Sequence, residues 1–233
     1  MTTVLSLGGS IVAPEGPDAA FLAAFRAFVD RHLAVDPSRR LILVVGGGGP
    51  ARLWQKALRE ASDEGGRPAS PEAQDWVGIM ATRLNAQLVK AVCDELAPQE
   101  VVIDPSGVEL FMGRVLVAAG WKPGFSTDFD AVVLAEKFGA DTVVNLSNIA
   151  KVYTDDPKTN PAAKPIDSIT WKGFRALVGD EWSPGKNLPF DPIASRRAEE
   201  LGLRVVCAAG RDLPNLEALL ESRPFVGSII GPN

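Results

Sequence analysis

Short runs of apolar residues alternate along this chain with stretches whose apolar positions recur at helical spacing. The runs at residues 4–7, 41–45, 101–103, 115–118, 142–146 and 203–206 read as buried strands, and residues 226–230 as one more. Between them, the pattern predicts helices over 21–34, 51–61, 72–96, 129–138, 192–201 and 213–221. Asp191-Pro192 reads as an N-cap followed by proline at the first helical position, while Gly139 and Gly202 mark helix ends. Continuous rather than alternating apolar strands, each followed by a helix, predict an α/β protein: a three-layer αβα sandwich around a mainly parallel sheet. The loops at 62–71 and 155–165, rich in Gly, Pro and charge, read as mobile flaps. Residues 182–189 form another irregular stretch.

At 233 residues the chain can bury a large core, and 46% apolar with 23% charged residues is an ordinary globular balance. The net charge of −5 argues against nonspecific nucleic-acid binding, so a phosphorylated ligand has to be met by local cations and backbone N–H groups. Cys93 and Cys207 stand apart in apolar runs and read as buried reduced thiols. With His32 the only histidine, placed on the surface of its helix by the pattern, neither a zinc site nor a Ser-His-Asp relay can be assembled. The chain enters a strand at once and has no long apolar segment, which predicts a cytoplasmic protein with no membrane contact.

Two glycine-rich turns carry candidate chemistry. Gly8-Gly9-Ser10 follows the first strand; it is either a phosphate-binding turn or simply a tight one. Four successive glycines, Gly46 to Gly49, follow the second strand and require some close approach. Arg52 comes just after them in the first turn of the next helix, so a helix dipole and a guanidinium converge on one anion. The spacing is neither GxxxxGK[ST] nor GxGxxG. Asp75, near the head of a long helix, is either a dipole-favoured first-turn carboxylate or a ligand for a ribose diol. Ser126-Thr127-Asp128 caps the 129–138 helix and can hold a second anion; a polar turn after the 142–146 strand runs to the sole tyrosine, Tyr153.

Taken in order, GGS after strand one, GGGxxxR after strand two, DxxGxxATRLNA from Asp75, STD before a helix, and Asn148 to Tyr153 followed by Asp156-Pro157 resemble the amino-acid-kinase superfamily, and within it the archaeal-type UMP kinases. The resemblance covers nearly the whole chain. It implies one kinase domain over residues 1–233, with an acceptor-binding part over about 1–140 and an ATP-binding part over about 141–233. It implies that Gly9, Ser10, Gly48, Arg52, Ser147, Asn148, Tyr153 and Asp156 contact ATP. Gly47, Asp75, Trp121, Lys122, Pro123, Gly124, Phe125, Ser126 and Thr127 would contact UMP, and Asp128 would orient the catalytic centre. Ser6 stands where many superfamily members carry lysine, and Ile149-Ala150-Lys151 stand where the family usually has x-Asp-Gly.

The implied reaction is transfer of the ATP γ-phosphoryl group to UMP, with Mg²⁺ on the nucleotide and no protein-held metal, in a homo-oligomer, a hexamer by resemblance. The acceptor phosphate has a second pKa of about 6 and needs no general base, so charge neutralisation carries the catalysis. The cations placed for it are Arg52, then Lys122, then Lys186; Arg83, inside a helix, reads as structural. A superfamily kinase for another small acceptor, or a non-catalytic nucleotide- or oxyanion-binding storage relative, fits the same motifs.

Overall fold

The computed structural model describes residues 1–157, 159–179 and 188–232. Its main sheet has seven strands in the order β3-β2-β1-β4-β8-β9-β7: β1 Thr2–Leu7, β2 Arg40–Val45, β3 Val115–Ala118, β4 Thr142–Ser147, β7 Ser168–Thr170, β8 Arg204–Ala209 and β9 Ser228–Gly231. All pairings are parallel except β8 with β9. A separate two-stranded hairpin joins β5 Val152–Tyr153 to β6 Pro165–Ile166.

Side-chain alternation along the strands divides the core in two. Leu5, Leu7, Leu41, Leu43 and Val45 face α1 Gly9–Val12, α2 Ala19–Val35, α4 Pro71–Cys93 and α8 Leu213–Leu220. Val4, Ile42, Val44, Leu116 and Val143 face α5 Thr127–Lys137, α6 Trp171–Val178 and α7 Pro192–Glu200. The three-layer expectation holds. The remaining helix, α3 Gly48–Glu64, buries none of its residues fully and packs on α4 from outside. Among the described residues, no helix is long and apolar enough to cross a membrane.

Helix ends follow their sequence signals. Asp191 accepts the Ala194 N–H at 2.7 Å, and Gly139 and Gly202 adopt φ of 65° and 64° beyond their helices. Both cysteines are buried and unpaired. Other expectations need correction. Residues 101–103 form no strand: Val102 makes one isolated bridge to Ala118, and then Asp104-Pro105 turns the chain away, with Asp104 Oδ1 accepting from Ser106 and Gly107. The proposed 62–71 loop is shorter, because α3 runs to Glu64 and α4 starts at Pro71. His32 is not on the surface: it is 6% exposed, stacks on Phe28 and sits 3.2 Å from Arg39 through Nδ1. Two helices, the one-turn α1 and α6, escape the sequence reading, as do the short strands β5, β6 and β7; Thr170 caps α6, and Trp171, Phe174 and Val178 form its buried stripe.

Candidate active site

In this sheet the chain moves one way from β1 through β2 to β3 and the other way from β1's far side through β4 to β8, so the order reverses between β1 and β4. Ligands of open parallel sheets bind beyond the strand C-termini at such a reversal. Gly8 to Ser10, Gly46 to Gly49, Gly120 and Ser147 all lie at that end, directly after β1, β2 and β3 and at the end of β4.

The two glycine turns nest against each other. A Cβ on Gly9 would lie 1.9 Å from the Gly48 nitrogen, one on Gly46 2.5 Å from the Gly9 nitrogen, and one on Gly49 2.3 Å from the Pro14 carbonyl. At three of the four glycines the close approach is therefore met by main chain against main chain, and at Gly47 by the Ala51 Cβ at 2.6 Å, whatever ligand also binds there. The Gly49 N–H donates to Ala13 O, and buried Asn85 donates to both Gly46 O and Gly47 O, fixing the turn from beneath.

A cleft of about 280 Å³ opens beside this seam, lined by Gly47, Gly48, Arg52, Asp75, Phe125, Ser126 and Thr127 among others. Two helix N-termini meet it: that of α3 at Gly47–Gly48 and that of α5, where Ser126 accepts the Phe129 N–H. Their dipoles favour an anion between them. Arg52 is the one cation lining the cleft among the described residues and Asp75 the one carboxylate. Because α3 begins at Gly48, Arg52 lies in its second turn rather than its first, with Nη2 bonded to Pro14 O at 3.0 Å. Asp75 lies in the second turn of α4; the first-turn acid is Glu72. Free of the capping role, the Asp75 carboxylate accepts the Gly124 N–H at 3.0 Å and so ties the 121–127 loop to α4.

That loop is built on an aromatic column. The Trp121 and Phe125 rings are 5.4 Å apart and those of Phe125 and Phe129 4.5 Å apart. Lys122 is exposed and lies over this column, its Nζ 3.8 Å from the Trp121 ring centroid, and does not line the cleft. Arg83 is structural, as its helical setting predicts: it donates to Gly120 O and Trp121 O. Pro123 and Gly124 complete the turn, Gly124 with a φ of 85°.

Asp128, half-buried in the first turn of α5, joins three elements. Its Oδ1 accepts from the Ser6 hydroxyl on β1, and its Oδ2 accepts from the backbone N–H of Asp191, the cap of α7. Burial first, then the neighbouring Asp191, pushes its pKa up to about 7.

On the far side of the seam, Gly9 and Ser10 begin the one-turn α1, and Gly8 donates to Leu146 O beside Ser147. Ser147 Oγ accepts from Ile149 N, and Asn148 is exposed. Tyr153 and Asp156 belong to the β5–β6 hairpin and the turn after β5, and neither lines the cleft. Lys186 and most of the 182–189 stretch lie outside the described residues.

Several residues were not anticipated as site residues. Thr82 lines the cleft and accepts the Gly120 N–H at 2.8 Å, and Gln55, Gly78 and Ile79 also line it. Thr82 and Asn85 were detectable as polar interruptions, three apart, in the apolar stripe of α4. A larger depression of about 550 Å³ lies at the opposite end of the sheet, where β4 and β8 begin. Arg204, its one cation among the described residues, is already bonded to Thr142 Oγ1.

Comparisons with known proteins place the chain in a family. The profile of the amino acid kinase family matches residues 1–209. The uridylate kinase of Methanospirillum hungatei is 34% identical over 100% of this chain and 95% of its own length, and that of Pyrococcus abyssi is 31% identical over 96% of each. The crystal structure of uridylate kinase from Archaeoglobus fulgidus superimposes with a TM-score of 0.82 at 30% identity, covering 99% of this chain and all of that one. The profile match, the full-length relatives and the structural similarity together have one explanation: this chain belongs to the amino acid kinase family.

Proposed function

We propose that the protein is a uridylate kinase that transfers the γ-phosphoryl group of ATP to UMP, giving UDP and ADP. The observation that carries this reading is the convergence of two helix N-termini and Arg52 on one cleft that Asp75 also lines. The helix ends and the guanidinium suit a phosphate, and the carboxylate suits a ribose diol. Full-length relatives named uridylate kinase supply the nucleotide.

In this mechanism UMP lies in the cleft. Its ribose hydroxyls donate to Asp75, and its phosphate meets the α5 terminus at Ser126–Thr127 and the Gly47 turn. ATP lies across the seam, its phosphates over Gly9, Ser10 and Gly48 and its nucleoside toward Ser147, Asn148, Tyr153 and Asp156. The donor enters as MgATP, its metal carried on the nucleotide phosphates. Arg52 neutralises charge on the phosphoryl group in flight and Asp128, held by Ser6 and the Asp191 N–H, orients the catalytic centre; alignment does the rest because the acceptor oxygen is already ionised at neutral pH. Lys122 reaches the acceptor only by leaving its place over the Trp121 and Phe125 rings.

On this reading residues 1–140 chiefly hold the acceptor and 141–233 the ATP nucleoside. The protein acts in the cytoplasm, in pyrimidine nucleotide biosynthesis, as a homohexamer. A coupled ADP-release assay over UMP, CMP, dCMP and small carboxylic acids tests the assignment. UMP should give the highest kcat/KM; ADP release at background with every acceptor would defeat it.

A further inference from the structure

Asp130 lies one helical turn into α5, among buried Ala131, Val132, Leu134 and Ala135, and its own exposure is 0%. An apolar side chain would satisfy this position, and a carboxyl group is costly there. One oxygen, Oδ2, accepts the backbone N–H of Trp121 at 3.2 Å. The other, Oδ1, is buried with no hydrogen-bond partner among the described residues. A buried group so poorly served is retained where its one good bond matters, and that bond reaches the loop beside the cleft.

The neighbouring bonds show what it accomplishes. Thr82 accepts the Gly120 N–H, and Arg83 donates to the Gly120 and Trp121 carbonyls. Asp130, on α5, adds the Trp121 N–H to the set that α4 holds. Gly120 lines the cleft, and the Trp121 ring packs on Phe125, which lines it too.

We propose that Asp130 is a positioning residue for the acceptor: by holding the Trp121 N–H from beneath, it fixes the Gly120–Trp121 turn and, through Phe125, the wall of the cleft. This rests on the uridylate kinase reading for its substrate but not for the clamp itself. Its protonation state matters to the clamp. Burial pushes the carboxyl up to about 8; Asp128 on the same helix and Asp104 across the loop act in the same direction, and the Trp121 N–H and Arg83 of α4 oppose them. Burial thus favours the neutral acid near pH 7, and ionisation above that range puts a poorly solvated charge under the loop.

The test compares wild type, Asp130→Asn and Asp130→Val in steady-state kinetics between about pH 7 and pH 9, above the acceptor's own ionisation. Asp130→Val, which loses the acceptor oxygen, should raise the UMP KM roughly tenfold while ATP KM and kcat stay within about twofold. Asp130→Asn keeps an oxygen for the Trp121 N–H; it should match wild type at pH 7 and lack the wild-type rise in UMP KM at higher pH. A folded Asp130→Val enzyme with an unchanged UMP KM overturns the proposal, as does an equal rise in both KM values. If Asp130→Val does not fold, the pH profile of Asp130→Asn decides, and a profile identical to wild type overturns it. Hydrogen exchange at the Trp121 amide reads the clamp independently of turnover. Protection in wild type that Asp130→Asn retains supports it, and a fast-exchanging wild-type amide overturns it even if UMP proves not to be the substrate.

Discussion

The Ser6 hydroxyl lies 3.1 Å from Asp128 Oδ1 and donates to it. The donor is a neutral hydroxyl, and the carboxyl, pushed up to about 7, is only part ionised at neutral pH. Asp128→Asn should lower kcat roughly a hundredfold with little change in either nucleotide KM. In wild type, kcat should rise with pH through about 7 as the carboxylate forms. The variant should keep only the acceptor's own ionisation near about 6. Ser6→Ala removes a bond that favours the charged form and should move the limb to higher pH. An unaltered limb in both variants removes Asp128 from the reaction.

Asp75 already holds the Gly124 N–H at 3.0 Å and has a second oxygen for the ribose. Asp75→Ala should raise the UMP KM by tenfold or more, since about 1.4 kcal/mol, one charged hydrogen bond, is worth that factor. The ATP KM should not move. Equal effects on the two nucleotides would return Asp75 to a purely structural role.

The contact between Gly9 and Gly48 leaves no room for a side chain. Gly9→Ala places a carbon 1.9 Å from a backbone nitrogen that no rotamer change can move. It should cost at least about 3 kcal/mol of stability, read as a lower denaturant midpoint. Gly16→Ala, where nothing lies within 4 Å, is the control and should change stability by no more than about 0.5 kcal/mol. Equal midpoints for the two variants would contradict the nesting.

Buried His32 is driven down from 6.5 to about 4, chiefly by burial and then by the Arg39 guanidinium. A lowered base binds fewer protons folded than unfolded, so its contribution is complete above 6.5 and is lost as pH falls toward 4. Over that window the loss approaches about 3 kcal/mol. Asp128 and Asp130 act in the opposite sense: raised from 3.8 to about 7 and about 8, they stabilise fully below 3.8 and lose this as pH rises through those values. The stability difference between wild type and His32→Leu should therefore shift in favour of the variant as pH falls from 6.5 to 4. A pH-independent difference would show that His32 does not titrate there.

What the sequence made legible were features set by neighbours along the chain. Apolar runs located β1, β2, β3, β4 and β8 to within two or three residues, and Asp191-Pro192 located the start of α7. The glycine turns and Ser126 were readable because turns and caps have local chemistry. What could not be read depends on partners far away. His32 looks exposed on a helical wheel until Arg39 and Arg114 close over it. Asp130 looks like another first-turn acid until Trp121 is placed above it, and Lys122 looks poised for the phosphate until two aromatic rings take it. The 101–103 run has strand composition, but its ladder to β3 is one residue long.

The seam where Gly9 meets Gly48 has a further consequence. The turn proposed for the donor alone, Gly9–Ser10, and the turn proposed to serve both nucleotides, Gly47 on UMP and Gly48 on ATP, press on each other through main chain. Neither can shift without carrying the other, so, if both nucleotides bind as proposed, the gap between their phosphates is gauged by peptide thickness rather than by an adjustable side chain. Selection can then retune the walls of the cleft, at Trp121, Phe125 or Asp75, for a different acceptor while the reacting distance stays the same.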